Sequence, residues 1–316
     1  MSVWEAQPAR DLRAVPPALI PELARDVKGL EFVSEKMKDA VVTMEDVAGR
    51  TLRVATWRLG QPSEHLPVLF FNGIGANIEA VAPLADSLSE RPFIMFDMPG
   101  VGESPDPVLP YTPFSISWTA AKLLDKLGVD EVDVMGISWG GGIAQHFAMQ
   151  HANRSRRVIL IATSAGMLMM PGSPKALTKM ANPRRYVDAD YMIKNFETLY
   201  GEGLGKSSGK GGHMSRLKPP SPRGYMYQLL CMLGWTSAPA LPFLLKQETL
   251  IMMGDDDAIV PLANGKFLNM LIPNSKLVVM EGGGHLFLLS HEEESVSAIR
   301  DFLDRPTTES ENQAAA

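Results

Sequence analysis

Cysteine is nearly absent. Cys231 is the only one in 316 residues, so neither an intramolecular disulfide nor a cysteine-built metal cage can form, and the chain suits a reducing compartment. Positive charge is also in short supply: 30 Lys and Arg face 36 Asp and Glu, a formal net charge of −6. No basic run offsets that deficit, which argues against nucleic acid as a partner. Long apolar runs are missing too. Asn, Asp, Glu or Lys breaks every apolar segment short of the roughly 18 residues that a membrane span needs. Glu5, Asp11 and Glu22 fall where a secretory signal would be continuously apolar, so a cytoplasmic protein is expected. What remains is 45% hydrophobic and 21% charged residues, enough for a sizeable core, and the expected partners are uncharged.

The pattern along the chain is that of an α/β protein. Short Val/Ile/Leu-rich runs alternate with helical periodicity, which predicts eight strands over 41–44, 51–57, 68–72, 93–98, 132–137, 157–162, 249–254 and 276–281. The first two, joined through Asp46-Val47-Ala48-Gly49, read as an antiparallel hairpin, and the rest as a mostly parallel sheet covered on both faces. Helices are predicted over 78–89, 114–127, 141–150, 262–271 and 293–303. The rhythm breaks between 163 and 242, a methionine-rich stretch with proline and glycine-rich loops, read as a mostly helical lid inserted over the strand ends. The expected organisation is an arm over 1–34, a core over 35–162 and 243–304, the lid over 163–242, and a disordered tail over 305–316.

Chemistry concentrates at strand ends. Gly136-Ile137-Ser138-Trp139-Gly140 follows a strand and opens a helix, the context in which G-x-S-x-G lifts a serine hydroxyl onto a helix N-terminus as a nucleophile. Of the six histidines, His285, in the Gly282-Gly283-Gly284-His285 loop after the last strand, is the one able to swing back over the sheet as the base. A carboxylate to orient it is expected among Asp255, Asp256 and Asp257, with Asp257 having the best claim and the others left as turn or helix-capping residues. The Asn72-Gly73-Ile74-Gly75-Ala76 turn can aim a backbone amide at the serine, so the N–H groups of Ile74 and Trp139 are the candidate oxyanion donors. Asp97-Met98-Pro99-Gly100-Val101-Gly102-Glu103-Ser104 reads as a structural turn.

From about Leu66 to Leu303 the chain resembles the α/β-hydrolases, and among them the intracellular depolymerases of medium-chain-length polyhydroxyalkanoates. The likeness rests on Phe71 to Asn77, Asp97 to Gly102, Ser138 to Gly141, Asn182-Pro183-Arg184-Arg185-Tyr186, Leu233-Gly234-Trp235-Thr236-Ser237, Gly254 to Asp257, and Gly284-His285-Leu286-Phe287-Leu288. The resemblance implies an α/β-hydrolase fold, a Ser138, Asp257, His285 triad and no metal or organic cofactor. The implied partner is a hydrophobic 3-hydroxyalkanoate ester, presented by a polyester granule or in solution. Asn72, Met169, Met170, Tyr225 and Trp235 are the expected substrate contacts. The alternatives are a soluble-ester, lactone or carbon–carbon bond hydrolase of the same fold and, more remotely, a non-catalytic binder of apolar ligands or granules.

Overall fold

Four-residue runs without a polar break, Val68–Phe71 and Phe93–Phe96, cannot face water on either side, and both are buried along their whole length in the middle of one sheet. The computed structural model describes residues 37, 39–182, 184, 189–200, 216 and 218–306. The chain divides into two units, Met1–Lys38 and Asp39–Ala316, and the sheet belongs to the second. The predicted arm over 1–34 lies outside the described residues, as does the tail beyond Pro306.

The sheet has eight strands: β1 (Ala40–Val47), β2 (Arg50–Trp57), β3 (Val68–Phe71), β4 (Phe93–Phe96), β5 (Val132–Ile137), β6 (Ser155–Ile161), β7 (Glu248–Gly254) and β8 (Ser275–Met280). Their spatial order is β1-β2-β4-β3-β5-β6-β7-β8. β2 pairs antiparallel with both β1 and β4, and every other pair is parallel. The hairpin between β1 and β2 turns on Ala48 and Gly49, both at positive φ, as a two-residue turn matched to strand twist demands. The outer strands β1 and β8 are only partly buried and carry polar residues, whereas the strands between them are mostly apolar and closed to solvent.

Strand order reverses between β3 and β5. Such a reversal leaves a crevice beyond the carboxyl ends of neighbouring strands, because the loops from the two sides diverge there. The crossovers are α1 (Ile78–Ser87), α2 (Pro113–Leu127), α3 (Trp139–Gln150) and α8 (Leu262–Leu271), and α10 (Glu292–Asp304) follows the last strand. α2 is capped at both ends: Thr112 and Ser115 form a reciprocal capping box, and Gly128 closes the helix at φ 68°. Ile116, Ala120, Leu123 and Leu124 form its buried stripe. Between β6 and β7 lie α4 (Pro174–Ala181), α5 (Ala189–Tyr200), α6 (Pro222–Met232) and α7 (Leu241–Leu244). Short α9 (Phe287–Ser290) precedes α10.

Two predicted strand ends are shorter in the structure. β4 stops at Phe96 rather than 98: Asp97 N still donates to Arg53 O at 2.9 Å, but Arg53 N donates to Ser104 Oγ and the ladder ends there. β3 stops at Phe71 because Asn72 bonds within its own loop.

Arg53 is the hub of a buried ionic cluster, 1% exposed, with Nη2 2.8 Å from Glu79 Oε1 and Nη1 3.1 Å from Asp97 Oδ2. Asp97 also accepts from Ile78 N at 2.8 Å and Glu103 N at 3.2 Å, and Ser104 Oγ donates to its carbonyl. The run after β4 is thus a turn closed on its own aspartate. Burial pushes the Asp97 carboxyl up to about 6, against the pull of Arg53. A folded-state pKa above the unfolded one means that this group's contribution to stability is greatest at low pH and is lost as pH rises through about 6.

Arg53→Met should leave two buried carboxylates without their cation, at a cost of about 3–5 kcal/mol. Because protonation of Asp97 relieves the unpaired charge, the loss should be smaller at about pH 5 than at about pH 8. Urea unfolding of both proteins at the two pH values is the measurement.

Candidate active site

The turn at the end of β5 has almost no room. A Cβ on Gly136 would collide with the Gly140 carbonyl, and one on Gly140 would collide with the Phe71 and Asn72 carbonyls of the adjoining strand end. Glycine at both positions is therefore a packing requirement of a helix that starts one residue after the strand. Ser138, between them, takes φ 55° and ψ −121°, a conformation costly for a residue with a side chain. The strain is held by Ser138 N donating to Ile161 O at 2.8 Å and Thr163 Oγ1 donating to Ser138 O at 2.7 Å. The predicted helix start at 141 moves to Trp139, since the turn is tighter than its glycines suggest. Ser138 Oγ is thereby presented at the N-terminus of α3, where backbone N–H dipoles favour negative charge.

Two further loops meet this hydroxyl. His285 Nε2 lies 3.0 Å from Ser138 Oγ, and His285 Nδ1 lies 2.7 Å from Asp257 Oδ2. His285 and Asp257 are 5% and 4% exposed, so the pair works away from bulk water, where a charge-assisted bond is strong. The other carboxylate oxygen, Asp257 Oδ1, accepts from Ile259 N and Val260 N, both at 2.8 Å. These two amides hold the carboxylate so that its free face meets the imidazole. Asp255 and Asp256 are exposed and do different work: Asp255 Oδ1 accepts from Gly282 N at 2.7 Å, and Asp256 N donates to Gly283 O at 3.0 Å. They lace the β7 loop to the glycine loop that carries His285.

The remaining described histidines are engaged elsewhere. His146 accepts from the Trp235 indole at 3.3 Å, His151 lies with its ring centroid 5.0 Å from that of Phe147, His291 bonds the Glu281 carbonyl at 3.1 Å, and His65 lies 3.4 Å from Asp304. Burial holds His146 below the ordinary imidazole range. His213 lies outside the described residues. Among the described residues no group of three or more His, Cys, Asp or Glu is arranged to hold a metal ion.

The candidate oxyanion donors come from the two strand ends on either side of the switch point. Ile74 sits in the loop after β3, whose neighbouring Gly73 approaches Ser138 closely enough that a Cβ there would lie 3.8 Å from Ser138 Cβ. Trp139 is the first residue of α3. Asn72 is buried with both ends of its carboxamide used inside this loop, accepting from Gly73 N and donating to Asn77 O, each at 2.8 Å. In this position it braces the loop from within.

Trp235 is seated against α3, where a Cβ on Gly142 would lie 3.1 Å from its ring. Met169 packs partly buried against the core, and Met170 is exposed at its side chain while Asn264 clasps its backbone at 2.8 and 2.9 Å. Tyr225 lies partly buried on α6.

Sequence reasoning missed three residues that hold the site: Thr163, Asn264 and Gln228. The last is a wholly buried glutamine in the otherwise apolar Tyr227-Gln228-Leu229-Leu230 run, and a polar residue in such a run was the available signal.

Asp257→Asn should lower kcat about 10³- to 10⁴-fold, because the two amides at Oδ1 would turn its NH₂ toward His285 Nδ1–H. Asp255→Asn and Asp256→Asn should stay within a few-fold of the parent. Initial rates on a short p-nitrophenyl ester give the ranking, and a dead Asp256→Asn with an active Asp257→Asn would contradict this geometry.

Comparison with known proteins agrees with this architecture. A relative from Ectopseudomonas oleovorans, a poly(3-hydroxyalkanoate) depolymerase, is 40% identical over 263 residues, covering 82% of this chain and 91% of its own. A 2-hydroxymuconate semialdehyde hydrolase of Pseudomonas putida is 29% identical over 275 residues, covering 81% of this chain and 94% of its own. Among solved structures, a thermophilic esterase from Thermogutta terrifontis superposes with a TM-score of 0.66 at 27% identity, over 84% of this chain and 97% of that one. Residues 67–292 match the family model for the alpha/beta hydrolase fold, and with the eight-stranded sheet and its strand order this places the chain in the α/β-hydrolase family.

Proposed function

We propose that the protein is a serine esterase that cleaves ester bonds of hydrophobic 3-hydroxyalkanoate polyesters or oligoesters in the cytoplasm. The observation that carries the reading is the unbroken hydrogen-bonded line from Asp257 through His285 to Ser138 Oγ. The 40% identity to a poly(3-hydroxyalkanoate) depolymerase supports the substrate class.

In this reading Ser138 Oγ attacks the ester carbonyl as His285 Nε2 takes its proton. The carbonyl oxygen becomes an anion received by the N–H groups of Ile74 and Trp139, with the N-terminus of α3 adding its dipole. Collapse breaks the bond to the leaving alkoxide oxygen, which takes the proton from His285 and departs as an alcohol. Water then attacks the acyl-enzyme with His285 as base, releasing the hydroxy acid and restoring Ser138. Asp257 keeps Nδ1 protonated and stabilises the transient imidazolium.

The segment between β6 and β7 is the proposed lid and acyl pocket roof. Its described helices leave Met226, Leu229, Leu230, Leu233 and Phe243 exposed to solvent, more apolar surface than a small soluble ester would need. A polyester surface is the partner that such a face suits. No helix among the described residues is long and apolar enough to cross a membrane.

Ser138→Ala should lose turnover by several orders of magnitude while folding normally, and a fluorophosphonate should label only the parent. On soluble 3-hydroxyacyl esters, kcat/KM should rise from four to about eight or ten acyl carbons, each buried CH₂ adding roughly 0.8 kcal/mol. Best turnover on a lactone or a carbon–carbon bond substrate would replace the polyester reading with the corresponding hydrolase. Leu229→Glu combined with Leu233→Glu, both at exposed positions, should lower the rate on suspended polyester several-fold and leave soluble-ester turnover unchanged. Equal losses on both substrates would remove the surface role.

A further inference from the structure

The two chain segments that carry the proposed oxyanion donors are joined by a single residue of the lid. Gln228, on α6, is completely buried. Its Oε1 accepts from Gly75 N at 2.9 Å, and its main-chain carbonyl accepts from the Trp139 indole Nε1 at 2.9 Å. Gly75 directly follows Ile74, and Trp139 directly follows Ser138. Gly75 sits at φ 69° with no side chain to limit its rotation, so little else in the residue itself resists a swing of this peptide. Tethering its N–H restricts the adjoining torsion of Ile74, and with it the direction of the Ile74 amide.

Helix α6 is itself seated on the core. Ser221 N donates to Gly100 O at 2.8 Å, and Gly224 packs against Gly100 so closely that neither has space for a Cβ. The remaining polar atom of the side chain, Gln228 Nε2, is buried with no hydrogen-bond partner among the described residues. A buried unpaired donor works against stability, which a residue kept only for packing could avoid by being apolar.

We infer that Gln228 is a positioning residue through which the seated lid holds both limbs of the oxyanion hole in their working geometry. The inference rests on the esterase reading above. It makes the lid more than a wall of the acyl pocket: displacement of α6 releases Gly75 and Trp139 together, so carbonyl activation depends on the lid being in place.

The test compares Gln228→Met, which keeps length but has no acceptor at this position, with Gln228→Glu, which keeps an acceptor oxygen whether ionised or not. Gln228→Met should lower kcat by about 10- to 100-fold, equally for short and long acyl chains, with KM within about three-fold of the parent. Its affinity for a trifluoromethyl ketone, which forms an oxyanion on the serine, should fall in step with kcat/KM. Gln228→Glu should recover to within a few-fold of the parent. Tm should fall by no more than about a few degrees in Gln228→Met, because one hydrogen bond is lost while one unpaired buried donor, Gln228 Nε2, is exchanged for another, Gly75 N. Trp139→Phe, which keeps the backbone N–H but drops the indole bond, should show a weaker loss of the same kind and carries the test if Gln228→Met does not fold.

A folded Gln228→Met with parental kcat and ketone affinity overturns the inference while leaving the esterase reading intact. So does a loss that grows with acyl length, which marks a pocket wall, or a Gln228→Glu as poor as Gln228→Met. If the parent binds the ketone no more tightly than Ser138→Ala does, the esterase reading fails and this inference fails with it.

Discussion

The close approach of α3 to the end of β3 is the constraint on which the rest of this site depends. Because the backbone at Gly140 lies against the Phe71 and Asn72 carbonyls, the chain must reverse within one residue of leaving β5, and that residue is Ser138 at φ 55°. A strained side-chain-bearing residue persists only where its surroundings over-determine it. Here the surroundings are the parallel ladder, which supplies the Ile161 carbonyl, and Thr163, which clamps the Ser138 carbonyl. The same crowding brings the loop that leaves β3 past Ser138, where a Cβ on Gly73 would lie 3.8 Å from the serine Cβ.

Two of the buried charged systems differ in character. Around Arg53, one guanidinium is shared between the buried carboxylates of Glu79 and Asp97, and these bonds fasten the β4 turn and the start of α1 to β2. Around His285, the carboxylate of Asp257 is held by two amides and one imidazole with no cation alongside in its hydrogen bonding. The first arrangement fastens chain segments together. The second is suited to a proton arriving on the imidazole, because an anion already waits at Nδ1 to stabilise it.

The segment between β6 and β7 is bound to the core at the loops that make the site. Ser173 N donates to Ala258 O, next to Asp257, and Asn264 clasps Met170. Lys218 N donates to Asn77 Oδ1, whose Nδ2 donates to Arg216 O. Gln228 reaches Gly75 and Trp139, and Trp235 leans on α3. A segment so attached shares its footing with the Asp257 loop and with the loop after β3.

The sheet was legible from sequence because its signal is local: a strand buried on both faces must be continuously apolar, and a strand-to-helix turn this tight must have glycine on either side of its serine. The order of Ser138, Asp257 and His285 along the chain, each at the end of a strand run, was readable for the same reason. What the tertiary structure alone decided is pairing. Three adjacent aspartates are chemically alike, and only the amides of Ile259 and Val260, with the imidazole at 2.7 Å, distinguish Asp257 from neighbours that lace two loops together. Asn72 braces its own loop, while Gln228, a polar residue in an apolar run, lies 153 residues from the glycine it holds. Such roles depend on contacts between distant segments, and nothing in the periodicity of either segment encodes which atom of the other it will meet.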